Sequence, residues 1–490
     1  MQLPVSGQRL SLGRFIKDGA VYGLSMVLAR SIGLILLPIL TRYLSPADYG
    51  TIELLAVAYA LLHLVLPLEV VQGMVRLQAD EKDSLQKAGY ASTAFWFTAS
   101  VFGGFAVLAW IASGYLSRWL FGASGYELVF QLAVLAMAFN ALLYVVQTHL
   151  RWNLQSRAFA LSNVLLALVT AAGGAALIVG LNTGLIGYFI ASLGGNIVAL
   201  VLGMAMVSGP RAFGLRLDPQ RLREMLAFSA PLVLSGAAVY LTTYADRWLV
   251  RYWLGLESLG LYGVAFRIAS VMSIVVASLQ MAITPIVYQN YRDPETPLVL
   301  RTLLTCLLAA ILPAVGLLAA LSKELVVLLA GSNFEAAAPA AGWLSLGVVL
   351  MSLYVFAPGM GLAKRTKRIA LVNGAVGGCN VMLGLALVPI LGIMGAALAY
   401  VAGGVAMATL YFKGSHRFYA IPYPFRRYAA SIMTMLIVLT VFAVVDLYWS
   451  WRLVVWTFGT VMVWTALFAG SEMPAELIGQ WRTKLPMVER

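Results

Sequence analysis

Charge is scarce in this sequence. Asp, Glu, Lys and Arg make up 11% of it, against about 25% in a water-soluble domain, so a soluble globular fold is excluded. Acid is scarcer than base: 20 Asp and Glu stand against 33 Lys and Arg. Cysteine is nearly absent. Cys306 and Cys379 sit in separate apolar runs, read as small hydrophobes, and support neither a disulfide nor a thiolate metal site. The three histidines, His63, His149 and His416, are scattered. No HExxH or metal-spaced cluster occurs, so no metal is expected. No GxxxxGK[ST] loop occurs either, which excludes a built-in ATPase. A basic, aromatic-rich soluble module that would hold nucleic acid is also missing.

Long apolar runs are what the chain has. The 490 residues are 61% hydrophobic, with a mean hydropathy of +0.88. A helix needs about 20 apolar residues to cross a bilayer. The runs are too long and continuous for the alternating strands of a membrane barrel. The pattern predicts an all-α polytopic membrane protein of about fourteen transmembrane helices, near 18–40, 49–75, 89–113, 126–148, 159–180, 184–207, 227–250, 259–286, 298–320, 336–361, 369–390, 392–412, 429–447 and 451–470. Two pairs, around Asn182 and Leu391, meet with almost no loop. The first run follows Arg9, Arg14 and Lys17, as a signal peptide would. It is too long for an h-region and no small-residue cleavage site follows, so it reads as a retained span. In Ser45-Pro46-Ala47-Asp48 a serine cap, a proline at the first helical position and an acid at the third make a helix start.

Lysine and arginine alternate by side. One set of loops carries Arg76, Lys82, Lys87, Arg151, Arg157, Arg211, Arg216, Arg221, Arg223, Arg292, Arg301, the cluster Lys364–Arg368 and Lys413–Arg427. The other holds only Arg42, Arg118, Arg251, Lys323 and Arg452. The positive-inside rule places the first set, and both termini, in the cytoplasm. Most of the net charge of +13 is this bias. The outer face offers few acids beyond Asp48, Glu127, Glu257, Glu324 and Glu335. Its short loops have no room for a glycosyltransferase or polymerase site. We expect no enzyme, no catalytic residue and no cofactor.

An internal repeat is visible. Leu44–Gly50 (LSPADYG) parallels Leu254–Gly260 (LGLESLG), and Ala160–Asn163 parallels Ala370–Asn373, both 210 residues on. Gly184–Gly187 parallels Gly392–Gly395, 208 on. Six spans, an even number, separate the copies, so the halves have parallel topology about an axis along the membrane normal. The reading is a six-helix lobe over 1–213, a second over 214–415, and an extra transmembrane pair with a cytoplasmic tail over 416–490.

Polar residues inside apolar helices carry the remaining signal. Arg30 lies near the middle of its run, where a charge costs roughly 2.5–3.5 kcal/mol on insertion scales. It therefore faces protein or a wet cavity, either as an ion pair holding helices together or as a cationic lining for an anionic substrate. Arg247 and Arg267 are candidates to converge with it on one cavity, since the guanidinium forks onto phosphate and stays charged. Near a span end, Arg247 has the alternative of snorkelling to headgroups. Glu53 and Asp246 are candidate counter-ions. Asp246 and Arg247, as neighbours, point about 100° apart on a helix and are expected to have separate partners. His63 and Glu69 are candidates for a proton relay, or else for buried hydrogen bonds.

The opening GRFIKDGAVYGLSMVLARSIGLILLPILTRYLSPADYGTIELL resembles the first two helices of Wzx-type polysaccharide flippases. Tyr244-Ala245-Asp246-Arg247, with Leu254-Gly255 and Leu259-Gly260-Leu261-Tyr262, resembles their seventh and eighth. These flippases belong to the multidrug/oligosaccharidyl-lipid/polysaccharide (MOP) exporter superfamily. The resemblance covers about residues 10–415 and implies two six-helix lobes in a V shape, alternating access and a cationic central cavity. The implied cargo is undecaprenyl-pyrophosphate-linked oligosaccharide crossing the bacterial inner membrane, for O-antigen, capsule or exopolysaccharide. Its implied partners are this lipid-linked substrate, membrane lipids, and a polysaccharide polymerase with its chain-length machinery. The extra helix pair departs from a twelve-span pattern and is also found in lipid II flippases, which keeps that cargo open. A cation-coupled small-molecule exporter of the same superfamily is a further reading, although its cavity would carry net acid. A non-transporting scaffold of a polysaccharide synthesis complex is the last.

Overall fold

The computed structural model describes residues 25, 28, 32, 35–207, 213–445 and 447–469, the side chains of 282, 285 and 286 excepted. Every regular element among the described residues is helical. Eleven helices are long and apolar enough to cross a bilayer, and the bent pair Pro219–Ser229 and Leu232–Ala269 makes a twelfth. The other two expected spans have specific reasons for escaping that test. The first falls mostly outside the described residues. The eighth is interrupted at Ser270, between Leu232–Ala269 and Val271–Asn290, and within the latter Val271–Met281 counts as a shorter apolar helix. The chain is a multi-pass membrane protein. Its contacts divide it into two compact units, residues 1–263 with 329–333, and residues 264–328 with 334–490.

In the first unit, α1 spans Pro46–Val65. Its start is the expected cap: Asp48 N–H donates to Ser45 Oγ at 3.1 Å, and Ser45 N–H donates to the Asp48 carboxylate at 3.1 Å. Twenty residues rise about 30 Å, the thickness of the hydrocarbon core. The expected unbroken run to residue 75 does not form. Pro67 interrupts it, and Leu68 and Glu69 adopt positive φ of 49° and 55°, a left-handed conformation that L-residues visit only at a cost. The chain resumes as α2, Val70–Asp80.

Helices α3 (Ser84–Ile111), α4 (Glu127–Trp152), α5 (Ser156–Ala175) and α6 (Gly184–Ala205) complete the first bundle. Phe95, Leu143, Val146, Phe159 and Leu200 pack at its core. The basic connection after α6 ends in α7, Pro219–Ser229, capped by Asp218. This helix lies on α2, where Gly73 leaves room for the Met225 backbone. It is tied to α3 by Tyr90 donating to Glu224 at 2.9 Å.

Helix α8, Leu232–Ala269, is two limbs joined at Gly255, whose φ of 86° and ψ of −174° are open to glycine. The first limb and the start of the second belong to the first unit.

The second unit holds α9 (Val271–Asn290), α10 (Thr296–Ala320), α11 (Ala338–Ser352), α12 (Thr366–Leu391), α13 (Ile393–His416), α14 (Phe425–Val444) and α15 (Trp449–Phe468). The tight turns expected around Asn182 and Leu391 are present. They use positive φ at Asn182 (51°), Gly184 (58°) and Gly392 (62°), so α5/α6 and α12/α13 are matching helical hairpins. The carboxyl-terminal pair docks on α10 through tryptophan. Pro313 has no N–H to give the carbonyl of Ala309, four residues back. Trp464 Nε1 donates to that carbonyl at 2.8 Å, and Trp456 Nε1 donates to Pro313 O at 2.8 Å.

Candidate functional site

Three of the charged residues expected inside the membrane, Glu53, Asp246 and Arg247, lie buried on α1 and α8. The second limb of α8 crosses α1 with their backbones touching. A Cβ built on Gly50 would overlap the Leu256 carbonyl oxygen, and one on Gly260 would overlap the Pro46 carbonyl oxygen. The contact is reciprocal in the repeat as well. Gly50 and Gly260 are 210 positions apart, and so are Pro46 and Leu256. The two copies of one motif therefore sit against each other about a local two-fold, and each needs glycine for the same reason.

Glu53 lies one turn beyond Gly50. Its side chain covers Gly263, where an added Cβ would come within 2.9 Å of the carboxyl carbon. Glu53 is buried, as are Asp246 and Arg247 on the first limb of α8. Arg247 is only 4% exposed, which rules out the snorkelling arrangement. The expectation that the two neighbours do not pair with each other is corrected too. Arg247 Nη1 donates to Asp246 Oδ1 at 3.1 Å and to the Thr243 carbonyl at 2.8 Å. The 100° between neighbouring Cβ directions is overcome because the arginine stem is long enough to fold back along its helix. Tyr262, fully buried on the second limb, donates its hydroxyl to Asp246 Oδ2. The guanidinium carbon stands 5.4 Å from the Tyr244 ring centre and 5.9 Å from that of Tyr262, within cation–π range. A buried carboxylate, guanidinium and phenol are thus assembled across the Gly255 break. One ion pair with hydrogen-bonded partners is the form in which buried charge is tolerated.

A second polar chain crosses the first unit. Tyr59 on α1 donates to Asn140 Oδ1 on α4 at 2.7 Å, and Asn140 Nδ2 donates to Asn196 Oδ1 on α6 at 2.6 Å. His63, one turn on from Tyr59, meets the Tyr144 ring edge-on with centroids 4.7 Å apart. Glu69 stands at the break between α1 and α2, in its left-handed conformation.

Arg30 lies outside the described residues. Arg267 is half-buried in the last turn of α8, within the second unit. Tyr262 and Tyr59 carried no signal as site residues, because a tyrosine in an apolar helix reads as packing. The paired glycines did carry one, as the shared end of the repeated motif. Among the described residues no cluster of three or more His, Cys, Asp or Glu is placed to hold a metal ion.

Comparison with known proteins agrees with this architecture. A lipid II flippase, MurJ, in an inward closed conformation superposes with a TM-score of 0.71 at 14% identity, covering 93% of this chain and 99% of that one. An inward-facing multidrug-resistance MATE family transporter of the MOP superfamily gives 0.65 at 15% identity, covering 81% and 94%. A MOP superfamily transporter from Pyrococcus furiosus, described by the reversed polarity of its binding pocket, gives 0.59 at 15% identity, covering 84% and 98%. At these identities the likeness shows a shared fold. No curated protein matches the sequence. Residues 39–339, more than half of the chain and including both copies of the glycine motif, match the model of one family. The chain belongs to that family, the polysaccharide biosynthesis proteins, and has the fold of the MOP-superfamily transporters.

Proposed function

We propose that this protein is a flippase, not an enzyme, that moves undecaprenyl-pyrophosphate-linked oligosaccharide across the bacterial inner membrane by alternating access. The family match supports a role in polysaccharide synthesis. The observation that carries the reading is Arg247, an arginine buried in the protein on the first limb of an apolar helix, α8. A sugar-pyrophosphate head cannot cross hydrocarbon unaided, because unpaired buried charge is prohibitive. Arg30, Arg247 and Arg267 offer it charge-assisted contacts, about twice as strong as neutral ones. Asp246 fixes the fork of Arg247 in place. The prenyl tail stays in lipid while the head passes.

No nucleotide-binding loop is present, so the drive comes from an ion gradient or from consumption of the product outside. Glu53, His63, Glu69 and Asp246 are the coupling candidates for the first route. Both termini lie in the cytoplasm. The flipped product passes to a polymerase and its chain-length machinery.

The test is polysaccharide export in a strain lacking the chromosomal copy, with membrane protein level measured alongside. Arg30→Lys keeps charge but loses the bidentate fork and retains partial export. Arg30→Ala loses most export at normal protein level. Normal export by a well-expressed Arg30→Ala, Arg247→Ala double variant would show these charges to be structural.

A further inference from the structure

The second unit carries a groove lined by none of the residues assigned above to the flipping reaction. Its volume is about 760 Å³, and it runs between α10, α11, α13 and α14. Its walls are apolar, with Leu308, Leu350, Ala408 and Met433 along them. At one end they give way to Lys413, His416 and Arg417, three exposed residues on one face of the last turn of α13 and just beyond it. No carboxylate lines the groove, and no ion pair engages Lys413 or Arg417 among the described residues. Arg301 lies one turn along α10 from the lining residue Leu304, and its buried Nε has no hydrogen-bond partner. Beside the cationic end, Phe412, Tyr423 and Phe425 pack edge to face with centroids 5.2–5.8 Å apart.

We propose that this groove binds an anionic glycerophospholipid from the leaflet that faces the basic loops. Length selects the ligand. From Val405 to Arg417 the wall rises about 18 Å along α13. One leaflet contributes about 15 Å of hydrocarbon, with a headgroup above it. An acyl chain of a single leaflet fills that depth, whereas a long polyprenyl chain overruns it. Charge selects the headgroup. Basic pockets between transmembrane helices on the cytoplasmic side hold anionic phosphates, and here the cations stand where the apolar wall ends. One wall of the groove is α14, through Tyr428, Ala429 and Ile432, so the extra carboxyl-terminal pair acquires a role: it completes a lipid site in the second unit.

The experiment uses the full-length protein, purified and delipidated in detergent. Phosphatidylglycerol and phosphatidylcholine with identical acyl chains are added back, and retained lipid is read by native mass spectrometry beside the thermal melting midpoint. Phosphatidylglycerol is retained more strongly and raises the midpoint more, and glycerol phosphate alone does neither. A basic side chain near an anionic surface contributes roughly a fivefold change in affinity, so the Lys413→Gln, Arg417→Gln variant retains phosphatidylglycerol about 25-fold less well, close to the phosphatidylcholine level. Ala429→Trp, which fills the groove and leaves the charges in place, lowers retention of both lipids. Equal retention of the two lipids by the wild type overturns the proposal. So does unchanged retention in both variants. Stoichiometric displacement of phosphatidylglycerol by undecaprenyl phosphate also overturns it and assigns the groove to the cargo tail.

Discussion

The side chain of Arg247 turns back to the residue before it in the chain, with Nη1 3.1 Å from Asp246 Oδ1 and both residues buried. Removing one partner of such a pair takes the matching charge away from the other, at a cost of about 3–5 kcal/mol. Asp246→Ala should therefore lower the melting midpoint and the membrane level sharply. Asp246→Leu with Arg247→Met replaces both charges by apolar groups and should restore the protein level while export stays low. Recovery of export together with protein level would remove this pair from the transport site.

The Gly50–Gly260 crossing predicts a symmetric pair of effects. A methyl at either position drives into a backbone carbonyl on the facing helix, and backbone cannot swing away as a side chain can. Overpacking of this kind costs about 1–3 kcal/mol. Gly50→Ala and Gly260→Ala should lower the melting midpoint by similar amounts. The double variant should lose less than the sum, because one separation of α1 from α8 accommodates both methyls. Additive losses would show that the two glycines act independently.

The elements most legible in the sequence are those set by local chemistry. The capping box at Ser45 and Asp48, the tight turns at Asn182 and Leu391, and the long apolar runs each depend on a few adjacent residues. The break after α1 was within reach, since Pro67 stands in the run, but proline is tolerated in membrane helices often enough to be passed over. The repeat marked Gly50 and Gly260 as equivalent. It did not say that they touch, because contact depends on how two distant helices cross. The site was legible as a set of charges and not as a set of partners. Arg247 and Asp246 were singled out, yet their pairing depends on a side-chain fold-back that helical periodicity does not describe. Tyr262 joins them from 16 residues on, across the Gly255 break.

The bias of lysine and arginine predicts sidedness at single positions. With Cys306 and Cys379 first replaced by serine, a cysteine at Ser84 or Thr366, both exposed at helix starts, should react with an impermeant thiol reagent only after the membrane is opened. A cysteine at Glu257, exposed just after the Gly255 break, should react in intact cells. Labelling of Thr366→Cys from outside would invert the second half and remove the parallel repeat.

The docking of the carboxyl-terminal pair rests on a carbonyl that proline sets free. Ala309 O has no backbone donor, because residue 313 is proline, and Trp464 Nε1 supplies one at 2.8 Å. The bond lies at the lipid-facing surface of the bundle, where there is no water to take its place, and an acceptor left without a partner costs about 1–3 kcal/mol. Trp464→Phe keeps most of the ring and removes the donor, so its melting midpoint should fall. Pro313→Ala restores a backbone N–H four residues after Ala309, and α10 can then satisfy its own carbonyl. In that background Trp464→Phe should have little further effect. The coupling between the two substitutions, measured as a double-mutant cycle, isolates the hydrogen bond from the packing of the ring. An equal loss from Trp464→Phe with and without Pro313 would mean that the tryptophan holds α15 to α10 by its surface alone.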